Sequence, residues 1–86
     1  MSYYKVLAER IPANVRKIIL EECFIDKAFN TNNTGTAMEY LFDVYEEFID
    51  AMGEFEDWSC FKCRQAILDN FKKMKIYLIE LENASE

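Results

Sequence analysis

The chain is 86 residues long, with 16 Asp and Glu against 10 Lys and Arg, a formal charge of −6, and 51% hydrophobic residues. That length supports one domain with a small core, and the acidic balance disfavours nucleic-acid binding through phosphate neutralisation. Two glycines and one proline are too few for the turns of an all-β domain.

The absence of histidine removes Ser-His and Cys-His catalysis and zinc sites built on imidazole. Two isolated glycines leave no phosphate-binding loop. No apolar run approaches the roughly 18 residues of a membrane span. Three cysteines cannot pair completely within one chain, and nothing at the start reads as a signal peptide. These features predict a cytoplasmic protein with no cofactor and no membrane contact.

In chain order, Ser2 is placed to cap a first short helix over residues 3–11. Its face is Tyr4, Leu7, Ala8 and Ile11, at the i, i+3, i+4, i+7 spacing. Pro12 ends that helix and opens a second over 13–29, since its ring forbids a helical Ile11 yet suits a first turn. Val15, Ile18, Ile19, Ile25 and Phe29 cluster on one side of that helix. Leu20 and Phe24 lie well round from them, and Glu22 and Asp26 interrupt the arc, so this helix should touch more than one neighbour.

The polar run Asn30–Thr36 is a turn, and Thr36 with Glu39 forms a capping-box pattern for a third helix over 37–53. Met38, Leu41, Tyr45, Phe48 and Met52 make its core stripe, widened by Ala37, Phe42, Val44 and Ile49, and Gly53 is a sensible stop. A fourth helix over 58–82, about 37 Å long, carries the stripe Cys60, Cys63, Ile67, Phe71, Met74, Leu78 and Leu81. A second stripe, Trp58, Phe61, Leu68 and Ile79 with Ile76 beside it, lies nearly opposite. The predicted fold is all-α: a small antiparallel helical bundle of one short and three long helices.

Charge is distributed unevenly along this pattern. Residues 28–61 hold eight acids (Glu39, Asp43, Glu46, Glu47, Asp50, Glu54, Glu56, Asp57) and no base, a charge of −8. The rest of the chain has ten bases and eight acids, or +2. Glu39–Asp43, Asp43–Glu47 and Glu46–Asp50 are i, i+4 like-charge pairs, each costing roughly 0.2–0.5 kcal/mol. The simplest arrangement is a solvated face neutralised by Lys62, Arg64, Lys72, Lys73 or Lys75 of the fourth helix. The functional alternative is a docking surface at Glu39, Asp43, Glu46, Glu47 and Asp50 for a basic protein partner. Imitation of a nucleic-acid backbone, to inhibit a DNA- or RNA-binding protein, is a special case of it. Carboxylates spread over four turns do not converge on a divalent cation.

Cys60-Phe-Lys-Cys63 admits a thiol or metal role, with Cys23 as a third ligand. Both cysteines fall on the apolar stripe, where cysteine packs as a small hydrophobe, and core packing is the expectation. The aromatic residues Phe42, Tyr45, Phe48, Phe55, Trp58 and Phe71 are likewise expected in the core. The Trp58, Phe61, Leu68 and Ile79 side is the candidate self-association surface of a homodimer. The sequence therefore points to a small acidic interaction module, a regulator or inhibitor rather than an enzyme.

Overall fold

The computed structural model describes residues 3–50 and 58–84. The Ser2 cap, the Met52–Gly53 end of the third predicted helix, Phe55, and the acids Glu54, Glu56 and Asp57 lie outside the described residues. The fold class is all-α, with no strand among the described residues. The helices are α1 (Tyr3–Arg10), α2 (Ala13–Glu21), α3 (Phe24–Asn30), α4 (Gly35–Val44) and α5 (Phe61–Ala84), and a π-helical turn (Tyr45–Ile49) extends α4. Among the described residues, one long α-helix and four short ones stand where one short and three long were expected.

α5 is the spine. Its 24 residues span about 36 Å at 1.5 Å per residue, close to the 38 Å long axis of the molecule. α1, α2, α3 and α4 each pack against it. Ile67, Phe71, Met74 and Leu78 are fully buried along its inner face. They meet Leu7, Ala8 and Ile11 from α1 and its end, Ile19 from α2, Ile25 and Ala28 from α3, and Met38 and Leu41 from α4 in one core. The short helices tile along the length of α5.

The largest departure from expectation is the break in the second predicted helix. α2 ends with Glu22 as its C-cap, and Cys23 takes the left-handed conformation (φ 54°, ψ 41°) before α3 begins. The Cys23 amide donates to the Leu20 carbonyl at 3.2 Å, and its carbonyl accepts from the Lys27 amide at 2.9 Å, so it closes one helix and opens the next. The break divides both arcs: Val15, Ile18, Ile19 and Leu20 lie on α2, and Phe24, Ile25 and Phe29 on α3. Of the five residues expected on one inner face, Ile19 and Ile25 are buried and Val15 packs at the core edge. Ile18 and Phe29 are exposed.

The α3–α4 connection is built from local hydrogen bonds. The amide of Asn32 donates to Phe29 and that of Asn33 to Ala28, at 3.1 and 3.0 Å, which is a Schellman motif. Asn32 and Asn33 both have positive φ, a conformation asparagine tolerates better than most residues. The Thr34 hydroxyl donates to the Thr31 carbonyl at 2.6 Å. Gly35 then opens α4 at φ 82°, and Thr36, expected as the cap, lies inside the helix. Thr34 occupies the N-cap position without a side-chain cap bond.

Ala37, Met38, Leu41, Phe42 and Val44 are all buried, making α4 the most enclosed short helix. Its last turn widens at Tyr45–Ile49, where the Asp50 amide reaches back five residues to the Tyr45 carbonyl at 2.7 Å. Nothing in Tyr-Glu-Glu-Phe-Ile demands this; tertiary contacts hold it. Tyr45 stacks edge-on against Phe71 with centroids 6.1 Å apart, and its hydroxyl accepts from Asn70 Nδ2 at 3.0 Å. From the other side Arg10 Nη1 donates to the Ile49 carbonyl at 3.4 Å.

Candidate functional site

Beyond its first two residues, Gly35 and Thr36, α4 turns most of its surface inward, and only Glu39, Asp43 and the half-buried Tyr40 face out. Glu39, Asp43 and Glu46 line an open groove of about 370 Å³ together with Phe42 and Trp58. The two rings form its apolar corner, packed edge-to-face at 5.3 Å and 87°. Of the five acids singled out from the sequence, these three are therefore gathered. Glu47, which is exposed, and Asp50, which is half-buried, lie outside the groove lining.

The expected neutralisation from α5 is not what the structure shows. Lys75 pairs with Asp26 at 3.2 Å. The Lys72 ammonium sits 4.3 Å from the centroid of Phe29, and that of Lys73 5.4 Å from Tyr4. Arg64 lies over the Trp58 ring at 5.0 Å. Its Nε donates to the Asn33 carbonyl at 2.9 Å and its Nη1 to the carbonyl of Trp58. Lys62 is exposed. Among the described residues the ion pairs are Lys17–Glu21, Lys27–Glu22 and Lys75–Asp26, and none reaches Glu39, Asp43 or Glu47.

Arg64 has a role that the sequence reading missed. It ties the α3–α4 connection to the start of α5 and backs the Trp58 wall of the groove. One signal was present: Lys62 and Arg64 sit in the opening turns of a long helix, where positive charge opposes the helix dipole. A cation kept there needs other partners, and Arg64 has the carbonyls of Asn33 and Trp58 and the rings of Trp58 and Phe61.

The self-association set does not survive as a set. Leu68 is 2% exposed and belongs to the core. Trp58 is half-buried against Phe42 and Arg64. Only Phe61 and Ile79 remain exposed, joined by Ile76 at 59%, on the outer face of α5. The aromatic residues divide similarly: Phe42, Tyr45 and Phe71 are buried, whereas Phe48 and Trp58 pack at the core edge.

The cysteines also depart from expectation. Neither Cys60 nor Cys63 is in the core; both are half-exposed. Cys60 immediately precedes α5, its carbonyl accepts from the Arg64 amide at 3.1 Å, and its Sγ accepts from the Cys63 amide at 3.1 Å. That is the geometry of a side-chain N-cap, with sulfur in the place of the usual oxygen. Cys23 lies elsewhere, at the α2–α3 break beside Asp26 and Lys75. Lys75 is 12 residues beyond Cys63, about 18 Å along the helix axis, so the three thiols do not assemble. Among the described residues no group of three or more Cys, Asp or Glu is placed to hold a metal ion.

No helix among the described residues is long and apolar enough to cross a membrane. Comparison with protein-family models, with curated proteins and with solved structures finds no match.

Proposed function

We propose that this protein is an interaction module that binds a basic segment of a partner protein in the groove between α4 and Trp58. Glu39 and Asp43 on one rim and Glu46 on the turn beyond would receive cationic side chains, and Phe42 and Trp58 would pack against their stems. Arginine suits such a corner best, because its planar guanidinium pairs with carboxylates and stacks on aromatic faces.

The observation that carries this reading is the engagement of α5's cations elsewhere. Lys72, Lys73 and Lys75 each have an aromatic or acidic neighbour away from α4, and Arg64 is held by the Asn33 and Trp58 carbonyls and the Trp58 ring. Glu39 and Asp43 thus form no ion pair with those residues, and their like-charge cost is relieved when a cation arrives. A nucleic-acid-binding partner, whose own surface is basic, is one class that fits this chemistry.

The test uses an arginine-rich peptide as probe against the whole chain and the Glu39→Lys/Asp43→Lys variant. Both positions are exposed, so circular dichroism and the urea midpoint should show a retained fold. Affinity should fall at least about tenfold in the variant, and the wild-type affinity should weaken steeply as salt rises, since screening removes interactions between exposed charges. Equal binding by the two proteins at every salt concentration would sink the proposal.

A further inference from the structure

We propose that Cys60 and Cys63 form a reversible dithiol–disulfide couple that reacts with low-molecular-weight disulfides, with Cys60 as the attacking thiol. Three observations independent of the acidic groove lead there. The first is exposure: both sulfurs lie outside the core, on residues that are half-exposed, so packing does not account for them. The second is spacing. The residues occupy the N-cap and third positions of one helical turn, shown by the Arg64 amide donating to the Cys60 carbonyl at 3.1 Å. Helix geometry places Cα atoms three residues apart at about 5 Å, within the Cα separation that a disulfide spans.

The third observation distinguishes the two thiols. Cys60 Sγ accepts the Cys63 amide at 3.1 Å, at the start of a 24-residue helix. Orphan amides at a helix N-terminus stabilise a thiolate over a thiol, and a hydrogen bond to the charged sulfur is stronger than one to the neutral form. Cys63 sits inside the turn, where its backbone amide serves Cys60. Cys23 lacks this setting. It follows Glu22 at a left-handed break and its N-cap position carries no side-chain cap bond.

The reaction balances without any other component. The Cys60 thiolate attacks one sulfur of a small disulfide, forming a mixed disulfide and releasing one thiolate, which takes a proton from water. Cys63 then loses its proton and attacks the Cys60 sulfur, breaking the mixed disulfide and releasing the second small thiolate. The protein dithiol gives up two electrons and two protons, and the small disulfide becomes two thiols.

The experiment equilibrates the whole chain in buffers of reduced and oxidised glutathione, quenches with acid, blocks the remaining thiols with a maleimide and maps them by mass spectrometry. Wild type should pass from three blocked thiols to one, with Cys23 the survivor and a Cys60–Cys63 link in the peptide map. Cys63→Ser should instead accumulate a glutathione adduct at Cys60. Cys60→Ser should form no internal link, and its fold is safe because serine is a favoured N-cap. A kinetic arm separates activation from mere access: Cys23 is the more exposed thiol, yet Cys60 of Cys63→Ser should alkylate several-fold faster at neutral pH. Three blocked thiols across the whole redox range would overturn the proposal. So would faster alkylation or preferential adduct formation at Cys23.

Discussion

Arg64 shows how a single side chain carries more of this structure than its position suggests. It donates to the carbonyls of Asn33 and Trp58 and covers the Trp58 ring, so it holds the α3–α4 connection, the approach to α5 and one wall of the groove together. Hydrogen bonds from charged groups contribute about 1.5–3 kcal/mol each when they are well enclosed, and Arg64 is half-exposed. Arg64→Ala should therefore lower stability by about 1–3 kcal/mol in urea denaturation, and Arg64→Lys should recover only part of it, because an ammonium cannot reproduce the fork. Full recovery by lysine would show that charge alone matters.

Two further residues are set by backbone conformation rather than contacts. Gly35 has φ 82°, and a Cβ there would find only ordinary contact with Thr31, 3.7 Å from its hydroxyl oxygen. The cost of Gly35→Ala, about 1–2 kcal/mol, would thus be conformational. Cys23 is the reverse case, a non-glycine residue in the left-handed region. Cys23→Gly should leave stability unchanged or raise it by up to about 1 kcal/mol, and Cys23→Val should lower it, since a β-branched side chain is worst there. A loss with glycine as large as with valine would remove conformation as the explanation. None of this was legible in advance. Helix propensity and periodicity carry no mark for a left-handed cysteine, and the traces of the break were the discordant Leu20 and Phe24 and the acids Glu22 and Asp26 that interrupt the apolar arc.

At the scale of elements, α5 decides the fold by offering two apolar stripes of different fate. Ile67, Phe71, Met74 and Leu78 lie inside as the spacing predicted, and Leu68 joins them from the second stripe, leaving Phe61, Ile76 and Ile79 outside. Leu68→Ala should cost about 2–5 kcal/mol, as truncations of buried leucine do. Ile76→Ala should stay within about 0.5 kcal/mol, the usual range for exposed sites. Comparable losses from both in thermal and urea unfolding would mean that Ile76 is covered in solution, which sedimentation of the wild type would then reveal. Leu68→Glu should unfold the chain, because it would bury an unpaired charge. α4 behaved differently under the same periodicity argument. Its inner stripe was readable because a regular helix repeats, whereas the wider turn at Tyr45–Ile49 depends on Asn70, Phe71 and Arg10, which are distant in sequence.

For the whole molecule the governing quantity is the charge of −6 and its uneven placement. The ion pairs among the described residues are exposed, and such pairs contribute at most about 1 kcal/mol each. The like-charge rim at Glu39 and Asp43 has no such pair. Raising ionic strength from about 0.01 M to 0.15 M shortens the screening length from about 30 Å to 8 Å, which should relieve repulsion more than it weakens those pairs. The urea midpoint should rise over that range and shift less in Glu39→Lys/Asp43→Lys, where the repulsion is already gone. A midpoint that falls with salt would show that the pairs, and not the rim, dominate.

Composition and spacing by themselves determined that this chain is helical, where Pro12 divides it, that Leu7, Ala8 and Ile11, the inner face of α4, and Ile67, Phe71, Met74 and Leu78 of α5 form the core, and that its negative charge concentrates in the middle. These follow from local rules, because a helix repeats every 3.6 residues and a proline blocks it wherever it stands. Tertiary structure alone decided that the second helix breaks at Cys23, that Leu68 is inside, that Cys60 caps α5, and that three of the five acids on one stretch share a groove with Phe42 and Trp58. Each of those depends on where a distant element ends up. A strained backbone, a rotated face or an engaged cation is stable only in the presence of the neighbours that hold it.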